Sequence, residues 1–125
     1  SWNAMIALVA GDTVVWKPSS KTPLCALAVA RITGEVLHEN GLPEGILNVI
    51  IGEGETVGER LIQDPRMRLI SATGSVAMGR RVGPVVAARF GRTLLELGGN
   101  NGVIVTPSAD LQLAMRAILF GEREE

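Results

Sequence analysis

Nine residues, Ser71-Ala72-Thr73-Gly74-Ser75-Val76-Ala77-Met78-Gly79, stand between an apolar run at 67–70 and a helical pattern, and they leave the chain few ways to fold. They read as the end of a strand, a tight turn and the start of a helix. Gly74 lets the backbone turn sharply because no Cβ is in the way, and Ser75 offers a hydroxyl to the unpaired amides of the first helical turn. A helix that starts this way is suited to an anion, since its free N–H groups and its dipole both favour negative charge. Gly79, one turn further on, allows close approach of a strand or ligand. A nucleotide site is therefore expected here.

The 125 residues, 46% of them hydrophobic, suffice for one core rather than two domains. Net charge is −1, and the 12 basic residues are scattered apart from a short cluster at Arg80, Arg81, Arg89 and Arg92. No nucleic-acid partner is expected from that balance. A single cysteine, Cys25, excludes an internal disulfide and suits a reducing, cytoplasmic setting. The apolar stretch at 4–10 is far too short to span a membrane, so no membrane partner is expected. The chain opens on Ser1-Trp2-Asn3 without a Met and ends in Glu122-Arg123-Glu124-Glu125, a charged end expected to be non-native; residues 1–121 are expected to be one partial domain of something longer.

Residues 2–10 read as a short helix stopped by Gly11, and 13–16 as a buried strand. Thr22-Pro23 opens a helix in which Ala28, Ile32 and Val36 share a face and which Asn40-Gly41 stops. A strand is expected at 47–51, then a glycine-rich loop at 52–58 and a short helix to Gln63. A third strand at 67–72 leads into the helix after Ser75, where Met78, Val82 and Val86 share a face and Pro84 is expected to kink or split it. Strands at 93–97 and 102–106, joined by a turn at 98–101, and a last helix through Leu111 and Ile118 complete the pattern. Continuously apolar strands alternating with helices predict an α/β fold, an open, doubly wound and mainly parallel sheet. In such sheets ligands lie beyond the carboxyl ends of the strands, where the loops are 17–21, 52–58, 73–79 and 98–101.

Each loop also has a bland reading. Gly74 to Gly79 has P-loop glycine spacing, but Arg80 and Arg81 replace the Lys and hydroxyl that an ATPase needs. Gly52, Gly54 and Gly58 resemble a dinucleotide fingerprint with one residue too many between the last two glycines, and alone could be a plain turn. Lys17 could reach a ribose or phosphate, or be a solvated loop lysine. Glu96 interrupts an apolar strand; if buried it is either paired or poised, with a raised pKa, as a general base. Cys25 reads as a small core residue and His38 as a solvated group at a helix end. Trp2, Trp16, Phe90 and Phe120 read as core or edge packing, and no metal site can be assembled.

Taken together, Val14-Val15-Trp16-Lys17-Pro18-Ser19, the glycines at 52–58, Thr73-Gly74-Ser75 and Glu96-Leu97-Gly98-Gly99 resemble the successive motifs of the aldehyde dehydrogenase superfamily, in order and spacing. The likeness extends over residues 2–121, and the stretch Arg89-Phe90-Gly91-Arg92-Thr93-Leu94-Leu95-Glu96-Leu97-Gly98-Gly99-Asn100-Asn101 is most similar to the antiquitin branch, the α-aminoadipic semialdehyde dehydrogenases. The resemblance implies a Rossmann-like domain that binds NAD, with NADP also tolerated. The cofactor would meet Lys17, Ser19, Ser20, Gly54, Gly74, Ser75, Met78, Leu97 and Gly99. Within that set, Lys17 would contact the adenosine ribose, Gly54 would lie near the adenine, Ser75 would hold the pyrophosphate, and Leu97 and Gly99 would border the nicotinamide. Glu96 would be the general base that activates water against a thioester. The implied partner is a small aldehyde, and the implied parent a homo-oligomer.

Two residues depart from the family pattern. Ala72 replaces a usual Phe, and Ser20 replaces a Glu that holds the ribose hydroxyls in NAD-preferring members, hence the tolerance of NADP. Trp2-Asn3 lies too near Lys17 to be the family's Trp-Asn oxyanion motif. The family's nucleophilic cysteine falls beyond these residues and its oxyanion Asn before them, so this polypeptide alone is expected not to oxidise an aldehyde. The alternative is a catalytically silent nucleotide-binding or structural fragment.

Overall fold

A computed structural model describes residues 2–99 and 102–121. The order is α1 (Trp2–Val9), β1 (Val14–Trp16), α2 (Pro23–Glu39), β2 (Leu47–Val49), a single π-helical turn (Gly54–Gly58), α3 (Glu59–Gln63), β3 (Leu69–Gly74), α4 (Val76–Ala88), β4 (Arg92–Leu97) and α5 (Leu111–Gly121). The strands pair in parallel, as expected from their unbroken apolar character, but as two separate ladders. In one, Val14 lies opposite Leu47 and Trp16 opposite Val49. In the other, Leu69 lies opposite Arg92 and Gly74 opposite Leu97.

Three helices close with the same hydrogen-bond signature. In α1 the Asp12 amide reaches the Ala7 carbonyl at 3.0 Å and the Gly11 amide that of Leu8 at 3.0 Å; α2 ends alike through Leu42 to Leu37 and Gly41 to His38. This motif needs a left-handed residue, which Gly11 (φ 88°) and Gly41 (φ 65°) adopt without a Cβ penalty. In α4 the same place is taken by Phe90 at φ 59°.

The buried core is Ile62, Val82 and Val86, with Ile70, Met78, Val85 and Leu95 packed against it. It joins α3, α4 and the inner face of the β3–β4 ladder. Residues 70, 72 and 74 of β3 are half-buried on that face, while Leu69, Ser71 and Thr73 are exposed on the other.

Four expectations need correction. Residues 102–106 form no strand: with no partner ladder, Val103 and Ile104 are 61% and 93% exposed. Pro84 neither splits nor interrupts α4. Its missing N–H would have met the carbonyl of Arg80 on the exposed side, and Gly83 before it has no Cβ to clash with the proline ring. Cys25 is exposed rather than in the core, since only Ala26 of α2 is buried. Trp2, Phe90 and Phe120 are exposed, no face of the described residues having been built against them, and only Trp16 is half-buried. The turn at Asn100 and Asn101 and the charged end at 122–125 lie outside the described residues.

Candidate functional site

α3 and α4 run in the same direction. Glu59, which opens α3, pairs with Arg81 in the second turn of α4, while the Ile62 carbonyl near the end of α3 accepts from Arg89 Nε at 2.8 Å, just past the end of α4. Each helix starts beyond the carboxyl end of a strand, α3 after β2 and α4 after β3. Parallel helices therefore point the carboxyl ends of both ladders to one side. Lys17, the π turn, the Gly74–Ser75 turn and Gly98-Gly99 all follow strands on that side.

On the first ladder, the half-buried Lys17 lays its stem against the π turn: a Cβ at Gly58 would lie 3.7 Å from Lys17 Cδ and Cε. Its ammonium donates to the Pro18 carbonyl at 2.8 Å and keeps two further protons for other acceptors. The π turn is drawn tight because the amides of Thr56, Val57 and Gly58 all converge on the Glu53 carbonyl. Gly54 opens that turn onto empty space, with nothing within 4 Å of where a Cβ would stand. Ser19 and Ser20 are exposed in the turn after Lys17, and the Ser19 hydroxyl accepts from the Lys21 amide at 3.3 Å.

On the second ladder, Ser75 is the N-cap of α4, its Oγ accepting from the Met78 amide at 3.1 Å. The hydroxyl proton stays available, and the amides of Val76 and Ala77 have no acceptor within the helix. Met78 folds its methyl back over Gly74, 2.8 Å from where a Cβ there would stand. Gly98 donates to the Gly74 carbonyl at 3.1 Å, continuing the ladder into the loop that bears Gly99. Leu97 crosses over Gly79, whose missing side chain leaves the space the leucine methyls occupy.

Glu96 corrects the sequence reading. Leu95 and Leu97 face α4, so alternation turns Glu96 to the opposite face beside Thr73, and it is exposed rather than buried. The structure thus brings Lys17 together with the π turn, and Gly74, Ser75 and Met78 together with Leu97, while Ser19, Ser20 and Glu96 stand open to solvent. A groove of about 850 Å³ is lined by Val15, Ile50, Leu61, Met67 and, from the π turn, Glu55, Thr56 and Val57, but not by Lys17, Gly74, Ser75, Met78, Leu97 or Glu96.

Sequence reasoning missed the Glu59–Arg81 pair. Glu59 Oε2 accepts from Arg81 Nε at 3.2 Å, Oε1 accepts from a second guanidinium nitrogen, and Gln63 Nε2 donates to Oε1 at 2.5 Å. The Arg81 guanidinium holds the Glu59 carboxyl below its usual range. Two charges so far apart in sequence carry no periodic signal; only the packing of α3 on α4 reveals them.

A profile of the aldehyde dehydrogenase family matches residues 1–123. The chain is 49% identical over 119 residues to aldehyde dehydrogenase family 7 member A1 of Brassica napus, covering 95% of this chain and 24% of that protein. It is 42% identical to the α-aminoadipic semialdehyde dehydrogenase of Mus musculus, covering 95% of this chain and 22% of that protein. Among solved structures, lactaldehyde dehydrogenase from Escherichia coli superposes with a TM-score of 0.78 at 43% identity, covering 90% of this chain and 23% of that one. Aldehyde dehydrogenase C from Pseudomonas syringae, in complex with NAD+ and octanal, gives 0.77 at 38% identity, covering 91% and 23%. The chain therefore spans under a quarter of the length of these relatives, and its parallel strands and intervening helices are an incomplete Rossmann-like α/β domain. With both the profile and the superpositions running along nearly its whole length, the chain belongs to the aldehyde dehydrogenase family.

Proposed function

We propose that the chain is the cofactor-binding part of an NAD(P)-dependent aldehyde dehydrogenase that oxidises a small aldehyde, of the semialdehyde class, to a carboxylate. What supports this reading is that Lys17, the π turn and the Ser75-capped helix start each follow the carboxyl end of a strand in a parallel ladder, where such folds bind ligands. These residues fit a dinucleotide. Gly54 leaves open space for a flat group, the Lys17 ammonium has protons to spare for ribose oxygens, and Ser75 with the first amides of α4 can meet a diphosphate. Gly74, Met78, Leu97 and Gly99 border the same turn, and Ser19 and Ser20 the ribose side. Ser20 puts no negative charge there, so a 2′-phosphate is tolerated.

When bound, the cofactor supplies a hydride acceptor. Glu96 removes a proton from water at its carboxylate, which makes that water the nucleophile against an acyl group. Alone in this chain it lacks the enclosure such a base needs, and that exposure favours the narrower reading for the isolated polypeptide: it binds nucleotide and does not turn over. The same proposal sets the parent protein in the cytoplasm as a homo-oligomer. The free thiol of Cys25 and the exposed apolar residues Leu111, Met115 and Leu119 of α5 support it. Among the described residues no helix is long and apolar enough to cross a membrane.

The test is Glu96→Gln in the full-length protein. NAD+ affinity should be retained and aldehyde oxidation should fall by about 10²–10⁴-fold. Unchanged turnover would remove Glu96 from the chemistry.

A further inference from the structure

We propose that Glu59 and Arg81 are positioning residues for the dinucleotide site: their ion pair locks α3 beside α4, and so sets the π turn and Lys17 at a fixed offset from the Gly74–Ser75 turn. The inference rests on the cofactor reading above. Its own basis is how few ties join the two halves of the site. Among the described residues the ladders share no hydrogen-bonded strand, so the halves meet chiefly where α3 packs on α4, with one exposed tie elsewhere, Asn3 Nδ2 of α1 donating to Ser71 Oγ of β3 at 2.9 Å. That contact is apolar in its middle, through Ile62, Val82 and Val86, and strapped at both ends. At the end nearer the site is the two-pronged Glu59–Arg81 pair, braced by Gln63; at the far end Arg89 holds the Ile62 carbonyl.

Apolar contact alone permits sliding and rotation, whereas a forked guanidinium–carboxylate pair fixes direction. Glu59 is also the residue that follows Gly58, so any shift of its carboxylate is passed to the π turn and to the Lys17 stem resting on it. A ligand that touches both halves gains from their fixed separation, as two linked sites gain from a matched span. A ligand that touches one half does not.

The experiment is equilibrium dialysis of NAD+ and, separately, of adenosine against the chain, for wild type, Arg81→Gln, Glu59→Gln and the exchanged pair E59R/R81E. Each single variant should weaken NAD+ by about 3–5-fold, the upper end of what losing one partly exposed ion pair costs, and leave adenosine within about two-fold. The exchanged pair should recover most of the NAD+ loss. Equal weakening of both ligands, no loss of NAD+, or no recovery on exchange would overturn the proposal. If Arg81→Gln does not fold, Arg81→Lys decides: it keeps the charge without the fork, so NAD+ affinity falls between wild type and Glu59→Gln, and a wild-type value overturns the inference. A wild-type chain that binds adenosine but not NAD+, or neither, defeats the cofactor reading itself, a result distinct from any difference among the variants.

Discussion

Replacing Gly79 with alanine tests how closely α4 lies on the strand that leads into the site. A Cβ built there would stand 2.8 Å from Leu97 Cδ2 and 3.1 Å from its Cγ, with Cδ1 closer still. Gly79 is buried, so the added methyl cannot turn to solvent, and Leu97 has to leave its place. Overpacking of this kind costs about 1–3 kcal/mol. Against that, alanine in a helix interior is about 1 kcal/mol better than glycine. The expected net effect is destabilisation by about 1 kcal/mol, modest because Leu97, at 39% exposure, has room to swing outward. Removing the obstacle should reverse the sign. In a Leu97→Ala background, Gly79→Ala should stabilise by about 1 kcal/mol, its propensity gain alone. Urea unfolding followed by circular dichroism, run as a double-mutant cycle, measures both. Stabilisation by Gly79→Ala in both backgrounds would refute the packing of Leu97 over Gly79.

Three further outcomes are expected. Phe90→Gly should raise stability by about 0.5–1 kcal/mol, because a left-handed non-glycine residue is strained and Phe90, at 98% exposure, has no burial to lose; thermal unfolding reads it, and a lower midpoint would contradict it. Ser75→Ala should cost about 1 kcal/mol as a lost cap, whereas Ser75→Asp should keep the cap and stability yet abolish NAD+ binding by setting a carboxylate where the diphosphate belongs. Asp64, held down to about 2 by hydrogen bonds from Arg66, is protonated more easily unfolded than folded; its contribution is present above the ordinary carboxylate range and lost as pH falls toward 2, so Asp64→Asn should flatten acid unfolding in that window.

What could be read from the sequence was local chemistry. Ser75 as a cap, Gly11 and Gly41 as helix stops, and the parallel pairing all follow from backbone geometry and apolar runs that neighbouring residues dictate. Glu96 was misread because burial of a strand residue depends on which face an adjacent layer covers, and a carboxylate in an apolar run does not say which. The expected strand at 102–106 failed for a related reason: β-branched residues favour extension, but a strand requires a partner edge. Pro84 was tolerated because its own neighbour, Gly83, and its solvent-side carbonyl acceptor removed the usual penalties. The Glu59–Arg81 strap was invisible because it exists only through the docking of two helices.

The account stands most directly on one measurement, a titration of the isotopically labelled chain with NAD+ followed through its backbone amide resonances. Saturable shifts at Lys17, across Gly54–Gly58, and at Gly74, Ser75, Val76 and Ala77, all fitting one affinity, are the predicted result. Shifts confined to other elements, or none at either loop, would contradict the claim that both ladders serve a single dinucleotide site.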